Sequence, residues 1–531
     1  MFSVDRNGRI VVMKLNDVYD KRLLMQGLFG LLSLVVAMKV TGGAGFLLII
    51  PFILMGFSKN KTGLLLWCIL ATTVITMTNP NIAPKGSIFS IANRLIYLLV
   101  GGVMVLQVVG QRASKLMTPL LAILPYVAYM AMVSSVGWLP IISYLKLTLF
   151  TIIFFALYSV GNASARSTLG VAHLRSIFLC FAIFLIVGSV CLIPFPGIGL
   201  MRVEDFFLKY GYYPESALFM GMTLHSQALG PIVAVLSVML LADLLFSVKR
   251  WDWLYEMLLF LSPVLIYKTG ARTAMGTYLA GICFVSFVFM HARGVGAKWK
   301  GKVLSVLTLI GLCAGLAFMA TPSLRQSAVQ FIFKSRGAEV AKESQTMDNL
   351  ISSRQGGFEH SMANFKESPW IGNGFQVSSM QRGMKIYSWK QLLSAPIEKG
   401  VWVSAVLEEG GVFGMILFCL FLLIAFYSLL TRHAFIGATV LFVFITSNLG
   451  EFTFFSMSAG GGLMWSMVFL GVAMDAARLR QERLQRMAMV YIPPQPMDWS
   501  PEWEVQRGDI QTATPSQHCQ RGFNTINARM R

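Results

Sequence analysis

Two arginines in the second half of the chain have the chemistry to bind a diphosphate. Arg272 lies in the stretch Thr269–Ala274. Arg354 lies in the stretch Ser352–Gly357, at the start of a predicted amphipathic helix. A guanidinium is permanently charged and binds phosphate oxygens in a bidentate fork. Two such groups facing one cavity would suit a diphosphate leaving group, whereas the alternative is that each arginine only anchors the chain at a membrane interface.

Carboxylates near position 400 could supply acid–base chemistry. Glu398 and Lys399 come just before a strongly apolar run, and Glu408 and Glu409 lie about two turns inside it. Carboxylates at membrane depth are costly, and they usually line a cavity or find a partner. A poorly solvated carboxylate suits the role of a general base. The alternative is an interface pair of Glu398 with Lys399, with the two later glutamates packing against Lys146 or another cation.

Two histidines could relay a proton near neutral pH. His225 lies in Leu224–Gly230, and His360 follows Arg354 by six residues. A lone histidine is more often a structural hydrogen-bonding residue. The sequence shows no HExxH, no CxxC, no Asp-rich pair and no phosphate-binding P-loop. It therefore predicts no metal, no cofactor and no nucleotide hydrolysis.

Membrane spans must position these residues. The chain has 531 residues, of which 56% are hydrophobic and 13% charged, whereas soluble domains carry roughly 25% charged residues. The net charge of +20 comes from basic residues in short loops and in the two tails. Nucleic-acid binding would instead require basic residues clustered on a soluble module. The pattern is typical of a multi-pass membrane protein that follows the positive-inside rule.

Apolar runs of about 20 residues, the length that crosses a bilayer, predict about fourteen helical spans. The second run is short, so the first two could instead form a re-entrant pair. The predicted spans are 23–39, 43–57, 63–79, 92–111, 117–135, 140–160, 175–194, 222–247, 253–268, 272–291, 303–320, 400–428, 433–449 and 458–476.

Loop charge predicts that both termini are cytoplasmic. Every strongly basic loop, from Lys59 and Lys61 to the run Arg478–Arg486, falls on one side if each span crosses the bilayer. Two large segments, 195–221 and 321–399, then lie on the outer side with Arg272, Arg354 and Glu398. The predicted organisation is a cytoplasmic segment 1–22, a bundle of about eleven spans 23–320, an outer loop 321–399, further spans 400–476 and a largely disordered cytoplasmic tail 477–531.

Three stretches in the second half of the chain have recognisable motifs. Thr269–Ala274 has a small residue, Arg and Thr at the start of a span. Arg354 is followed by a predicted amphipathic helix and, in Ser368–Phe375, by a Pro-x-x-Gly-x-Gly turn. Leu407–Gly414 reads Leu-x-Glu-x-Gly-x-x-Gly. In this order the three stretches resemble the O-antigen ligase and polymerase superfamily of bacterial inner-membrane glycosyltransferases, with His225–Gly230 as a weaker fourth match, and the resemblance covers roughly residues 220–420.

The resemblance implies an all-α GT-C architecture in the inner membrane, with a large periplasmic loop over a cleft open to lipid. It implies transfer or polymerisation of glycan repeats from a polyprenyl diphosphate donor to an acceptor sugar hydroxyl, in exopolysaccharide or O-antigen synthesis. No cofactor or metal is implied, and a chain-length regulator is a compatible partner. The catalytic residues would be Glu398, Arg272 and Arg354, and the substrate-binding residues would be Lys146, His225, His360, Lys399, Glu408 and Glu409.

One departure from the family pattern leaves the general base open. Ligases of this superfamily place a His-Asn pair about ten residues before the Glu-x-Gly, where this chain reads Pro396–Trp402 without a histidine. Either Glu398 takes the role of base or the mechanism differs, and a polymerase-like branch is favoured over ligation to lipid A core. Two rival functions are a lipid-linked oligosaccharide flippase, which should carry charge midway along its helices, and a membrane scaffold. Lys146 in the sixth predicted span is the main residue that fits a flippase.

Overall fold

The computed structural model describes most of the helical bundle. Its described residues are 2–4, 10–12, 18–58, 61–85, 113–167, 169–200, 219–248, 252–292, 358–377, 401–450, 453–456 and 460–490, with some helical positions between 89 and 100. The predicted span 303–320, most of the span 92–111, most of the loop 321–399 and the tail beyond 490 lie outside the described residues.

The described residues include thirteen helices of ten residues or more, which we number α1 to α13. They are α1 Lys21–Thr41, α2 Ile49–Ser58, α3 Thr62–Met77, α4 Leu124–Val136, α5 Pro140–Arg166, α6 Val171–Cys191, α7 Ser226–Phe246, α8 Trp253–Thr269, α9 Arg272–Ala292, α10 358–367, α11 Trp402–Thr431, α12 Phe435–Ser447 and α13 Gly460–Val490. Short 3₁₀ segments, Gly42–Leu48 and Thr118–Ile123, precede α2 and α4. The strands Phe2–Val4 and Ile10–Val12 pair antiparallel near the N-terminus.

Eight helical stretches among the described residues are long and apolar enough to cross a membrane. Thr62–Met77 and Phe435–Ser447 are shorter apolar helices. Many large apolar side chains face outward, including Phe413, Leu423 and Tyr427 on α11, as expected of a surface in contact with lipid. An almost entirely helical, multi-pass membrane protein is therefore indicated, while the number of fourteen spans and the GT-C architecture stay predictions.

The segment after α1 folds back against that helix. A β-carbon on Gly45 would lie 2.4 Å from the Ala37 carbonyl carbon, so the two backbones meet with no space between them. The following α2 has 10 residues, which is a length of about 15 Å. The hydrocarbon core of a bilayer is about 30 Å thick, so a straight helix of this length crosses only about half of it. The number of bilayer crossings within Lys21–Ser58, a continuous apolar stretch of 38 residues, stays a prediction.

The centre of the bundle is formed by α7, which packs between α8, α9 and α12. Its residues are buried along almost the whole helix, with Leu229, Val233 and Leu240 among the side chains with no exposed surface. A helix that is apolar on every face must lie inside a bundle or in lipid. The sequence predicted this helix at 222–247, but only the structure shows that neighbouring helices surround it.

A buried ion pair joins three helices at one end of the bundle, where α6 and α8 begin and α7 ends. Arg175 Nε lies 2.7 Å from Asp243 Oδ2, and the Tyr255 hydroxyl donates to the same oxygen at 2.5 Å. Arg175 also donates to the Val18 carbonyl, which holds the segment before α1 against the bundle. A buried pair of this kind persists only when its remaining donors and acceptors are satisfied.

Arginines cap helix ends at this same side of the molecule, which we name the basic end. Arg480 of α13 donates to the Ala165 and Ser167 carbonyls at the end of α5. Arg478 donates to the carbonyl of His433, before α12. Cations near the last carbonyls of a helix favourably oppose its dipole. The basic end corresponds to the predicted cytoplasmic side, although the orientation in the membrane stays a prediction.

The last helix runs further than predicted. The sequence predicted its end near 476, whereas α13 continues to Val490. Arg478 supports the extension because its guanidinium binds Asp475 Oδ1 and Glu482 Oε1, each at 3.1 Å, and such i,i+3 and i,i+4 pairs stabilise helices. Two compact units divide the chain, Met1–Arg483 and Leu484–Arg531. The second is described only through residue 490.

Candidate functional site at the broken helix

The long helix α11 is interrupted at Gly411. Its φ of 61° and ψ of −165° are non-helical, so two helical segments meet there. A break in an apolar helix frees main-chain N–H and C=O groups that need partners, because no water is present in the bilayer core. Interrupted helices of this type are found where membrane proteins bind substrates.

The turn that follows α10 supplies those partners. The backbone hydrogen bonds are Asn373 N to Glu408 O (3.0 Å), Gly374 N to Glu409 O (3.0 Å), Val412 N to Pro369 O (2.9 Å) and Phe413 N to Trp370 O (3.3 Å). We name residues 368–377 the docking loop. The loop therefore satisfies carbonyls of the first half of α11 and amides of the second half, and it belongs structurally to that helix.

Two glycines allow this close approach. A β-carbon on Gly411 would lie 2.4 Å from the Trp370 carbonyl. A β-carbon on Gly372, where φ is 87°, would lie 2.4 Å from the Glu409 carbonyl oxygen. Positive φ is strained for residues that carry a β-carbon. These are glycines of the Pro-x-x-Gly-x-Gly and Glu-x-Gly stretches, so the two stretches meet in space.

Tyr129 of α4 fastens the junction from a third helix. Its hydroxyl lies 3.0 Å from the Gly410 and Ile371 carbonyl oxygens, one on α11 and the other on the docking loop. The Trp370 carbonyl oxygen is also within reach, at 3.4 Å. A single hydroxyl proton is thus shared among acceptors on both sides of the junction.

The docking loop also orders a buried polar cluster around Glu408. The Asn364 side chain of α10 donates from Nδ2 to Glu408 Oε1 at 2.8 Å. The Asn373 side chain donates from Nδ2 to the Asn364 carbonyl at 2.8 Å. All three residues expose 3% or less of their surface. Burying a carboxylate is costly unless hydrogen bonds compensate, and the Asn364 side-chain amide is one such donor to Glu408.

Lys146 of α5 reaches the same region from the other side. Its ammonium donates to the Gln376 carbonyl at 2.9 Å, and the residue is 5% exposed. Gln376 has an unusual φ of 53°, and its side chain donates to the Phe455 carbonyl at 2.6 Å. The predicted cation therefore fixes the end of the docking loop, which the sequence did not indicate.

An aromatic cluster seats the loop in the bundle. The Phe375 side chain has no exposed surface, and its ring centroid lies 5.6 Å from that of Phe150 and 5.1 Å from that of Phe455. The Phe375 amide donates to Ser143 Oγ at 2.6 Å. Aromatic packing at these separations adds to the stability gained from burial.

Glu409 lies directly after Glu408 and has no exposed surface. Its carboxylate interacts electrostatically with the Tyr126 hydroxyl of α4, which is also fully buried. Both predicted glutamates are thus inside the protein at the break in α11. They do not face lipid, and they are not on the protein surface.

Arg272 is the first residue of α9 and is half-buried. A chain of contacts connects its neighbourhood to the broken helix. Thr273 packs against Gly450, where a β-carbon would overlap its side chain, and the carbonyl of Asn448 accepts from the Trp402 amide at 3.2 Å. The structure therefore places Arg272 at the same end of the bundle as the start of α11.

His225 caps the start of α7. Its Nδ1 accepts from the Gln227 amide at 3.1 Å, which gives the imidazole the structural role of an N-cap. The adjoining turn of α7 contacts the α8–α9 connection, since a β-carbon on Gly230 would lie 2.7 Å from Ala271 Cβ. His360 is on α10 and is half-buried.

Three predicted site residues, Arg354, Glu398 and Lys399, lie outside the described residues. The predicted site residues did not include Asn364, Asn373, Gln376 or Tyr129. Asn373 lies within the Ser368–Phe375 turn and was therefore detectable. Asn364 and Tyr129 have no local sequence signal, because their partners are on other helices.

No protein-family model matches the sequence, and no curated protein matches it. Among the residues that the structure describes, no group of three or more His, Cys, Asp or Glu side chains could hold a metal ion.

Proposed function

We propose that the protein transfers or polymerises polyprenyl-diphosphate-linked glycan repeats onto an acceptor sugar hydroxyl at the periplasmic face of the bacterial inner membrane. The observation that carries the proposal is the docking of the loop into the break of α11. It joins two of the stretches that resemble the O-antigen ligase and polymerase superfamily, at the end of the bundle that also bears Arg272.

The charges of this region support a diphosphate donor. Arg272 and Lys146 are cations at the end of the bundle opposite the basic end. Most basic residues of the loops lie at the basic end, so cations at the opposite end need a local explanation, such as binding of an anion. In the proposed reaction Arg272, with Arg354, stabilises the charge that develops on the leaving diphosphate, and Lys146 holds the docking loop. Removing one preorganised donor to a developing oxyanion costs about 10²–10³ in turnover.

A polyprenyl donor explains why the site is in a membrane bundle. The lipid-facing side of α11 is apolar next to the junction, with Phe413 and Ile416 about half exposed. The donor's hydrocarbon chain could remain in the bilayer while its diphosphate enters the polar region. The acceptor would be a growing glycan, and a chain-length regulator is a compatible partner.

The test is deletion of the gene in its host, followed by complementation and sizing of surface and secreted polysaccharide. The variants are Arg272→Ala, Arg354→Ala and Glu398→Gln. We expect loss of long polymer and accumulation of single lipid-linked repeats on the outer leaflet. The matched control is Lys268→Ala, which removes an exposed cation at the end of α8, four residues before Arg272.

Outcomes are distinct for each part of the proposal. Unchanged polysaccharide in the deletion strain would reject glycan transfer. Normal polymer from Glu398→Gln at normal protein level would reject Glu398 as the base, because general acid–base catalysis contributes typically about 10²–10⁴-fold. Equal loss from Arg272→Ala and Lys268→Ala would reject a specific role for Arg272.

A lipid-linked oligosaccharide flippase is the second candidate. The broken helix and the buried charges Lys146, Glu408 and Glu409 favour it, because transporters bind substrates at discontinuous helices. The same deletion strain separates the two functions. A flippase defect leaves repeats on the cytoplasmic leaflet, whereas a transferase defect leaves them on the outer leaflet.

A further inference from the structure

We infer that Asn364 is a positioning residue that holds the carboxylate of Glu408 for the reaction at the broken helix. This inference rests on the proposed function, because it assigns a supporting residue to the same site. Asn364 lies on the helix between Arg354 and the Pro-x-x-Gly-x-Gly turn, and the resemblance assigns it no role.

A closed circuit of hydrogen bonds carries the inference. Asn364 Nδ2 donates to Glu408 Oε1, Asn373 Nδ2 donates to the Asn364 carbonyl, and the Asn373 amide donates to the Glu408 carbonyl, at 2.8, 2.8 and 3.0 Å. Three bonds among three residues fix both the side chain and the backbone of Glu408. Such a circuit holds the carboxylate to one rotamer more firmly than a lone hydrogen bond would.

Asn373 is itself held by the neighbouring helices. Its carbonyl accepts from the Trp138 amide at 3.0 Å, and a β-carbon on Gly137 would lie 2.4 Å from that carbonyl oxygen. The circuit therefore connects α10, the docking loop and α11 to the α4–α5 connection. Groups that contact the substrate in the transition state need supporting residues of this kind, because a small misplacement costs a large part of the rate.

The chemistry of the amide suits a carboxylate that is to accept hydrogen bonds from the substrate. A neutral Nδ2 donor orients the carboxylate but does not neutralise its charge, whereas an arginine in a bidentate pair would. The opposite flip of the amide would put Asn364 Oδ1 against Glu408 Oε1, which is repulsive, so the donor orientation is required when the carboxylate is ionised. Asn364 is 3% exposed and Glu408 is 1% exposed, so bulk water does not replace this donor.

A second buried residue on α10 allows a role in orienting Glu408 to be distinguished from simple packing of the helix. Ser361 is one turn earlier on the same helix and is 1% exposed. If α10 only needs to be buried, substitutions at the two positions should have similar effects. If Asn364 acts through Glu408, the loss of turnover caused by substituting Asn364 should depend on the Glu408 carboxylate.

The experiment is a double-mutant cycle on the full-length protein in liposomes. The substrate is the lipid-linked repeat extracted from the deletion strain. The variants are Asn364→Ala, Glu408→Gln, the double substitution and the control Ser361→Ala. Turnover and KM for the lipid-linked repeat are measured well below the melting temperature of every variant.

We expect Asn364→Ala to lower turnover about 10–100-fold while KM changes less than about threefold. The reason is that moving a reacting or positioning group by about 1 Å can lower the rate about 10²-fold. In the Glu408→Gln background the same substitution should have little further effect, because effects of residues that act as a unit are not additive. Ser361→Ala should keep wild-type turnover.

Additive losses in the cycle, a rise in KM at constant turnover, or full activity of Glu408→Gln would each overturn the role of Asn364 and leave the proposed function standing. A loss from Ser361→Ala as large as that from Asn364→Ala would also overturn it. Wild-type protein that forms no polymer from the extracted repeats would instead reject the proposed function, and the inference with it.

Discussion

The main-chain amide of Asn373 donates to the carbonyl of Glu408 at 3.0 Å, which joins the docking loop to the break in α11. The two residues are 35 positions apart in sequence, and an unbroken helix would have used the Glu408 carbonyl for its own ladder. Breaking the helix thus exchanges local hydrogen bonds for bonds to a distant segment. The consequence is a rigid polar junction among apolar helices.

Gly411→Ala should destabilise this junction. The positive φ alone costs a residue with a β-carbon about 1–3 kcal/mol, and the new atom would meet the Trp370 carbonyl at 2.4 Å. We expect a clearly lower melting temperature in detergent, measured by intrinsic fluorescence. The control is Gly276→Ala in α9, where no atom lies within 4 Å of the new β-carbon. An unchanged melting temperature for Gly411→Ala would show that the junction tolerates repacking.

Tyr129→Phe should loosen the same junction without changing its shape. The hydroxyl binds the Gly410 and Ile371 carbonyls, and one neutral hydrogen bond contributes about 0.5–1.5 kcal/mol. We expect a loss of that size in the free energy of unfolding, and faster proteolysis within the docking loop. Tyr144→Phe, at a residue 40% exposed on α5, is the matched control. Equal effects of both substitutions would contradict a specific role for Tyr129.

Breaking the ion pair at the basic end should be strongly destabilising. Removal of one partner leaves the other charge buried, which costs about 3–5 kcal/mol. We expect Arg175→Met or Asp243→Leu to lower the melting temperature strongly. The double substitution should recover most of the loss because no unpaired charge remains. A double variant as unstable as the sum of the single variants would contradict coupling between the residues.

Lys85 should make stability depend on pH. Burial lowers the pKa of its ammonium from 10.5 to about 7, while its nitrogen lies 5.8 Å from the centre of the Phe89 ring. Between about pH 7 and 10.5 the unfolded chain carries this proton and the folded protein does not, so stability rises with pH across that range. Melting temperatures from pH 6 to 9 should rise in the wild type and rise less in Lys85→Met. Parallel pH profiles would contradict the lowered pKa.

Membrane-length apolar runs were readily predicted from sequence. The runs predicted at 140–160 and 272–291 correspond to Pro140–Arg166 and Arg272–Ala292. The reason is that a chain in lipid must satisfy its backbone hydrogen bonds within each span, which leaves the helix as the local solution. Helix ends were predicted less well: α13 continues past residue 476 to Val490, and the ion pairs of Arg478 with Asp475 and Glu482 stabilise the helix just beyond the predicted end.

The candidate site was predicted in part. Residue chemistry identified Lys146, Glu408 and Glu409, and all three prove to be buried at one junction. Their assigned roles stay predictions, and Arg354, Glu398 and Lys399 are outside the described residues. His225 caps the start of α7, and its contact with substrate stays a prediction.

The sequence by itself determined that the chain is apolar, basic and helical, because composition and periodicity act within each segment. Only the tertiary structure decided that Asn364 meets Glu408, that Tyr129 closes the junction and that Arg175 meets Asp243. These contacts join residues on different helices, and no local pattern encodes them. The backbone groups freed at Gly411 and the charges excluded from water need partners, and folding selects those partners from whatever segments reach the same place.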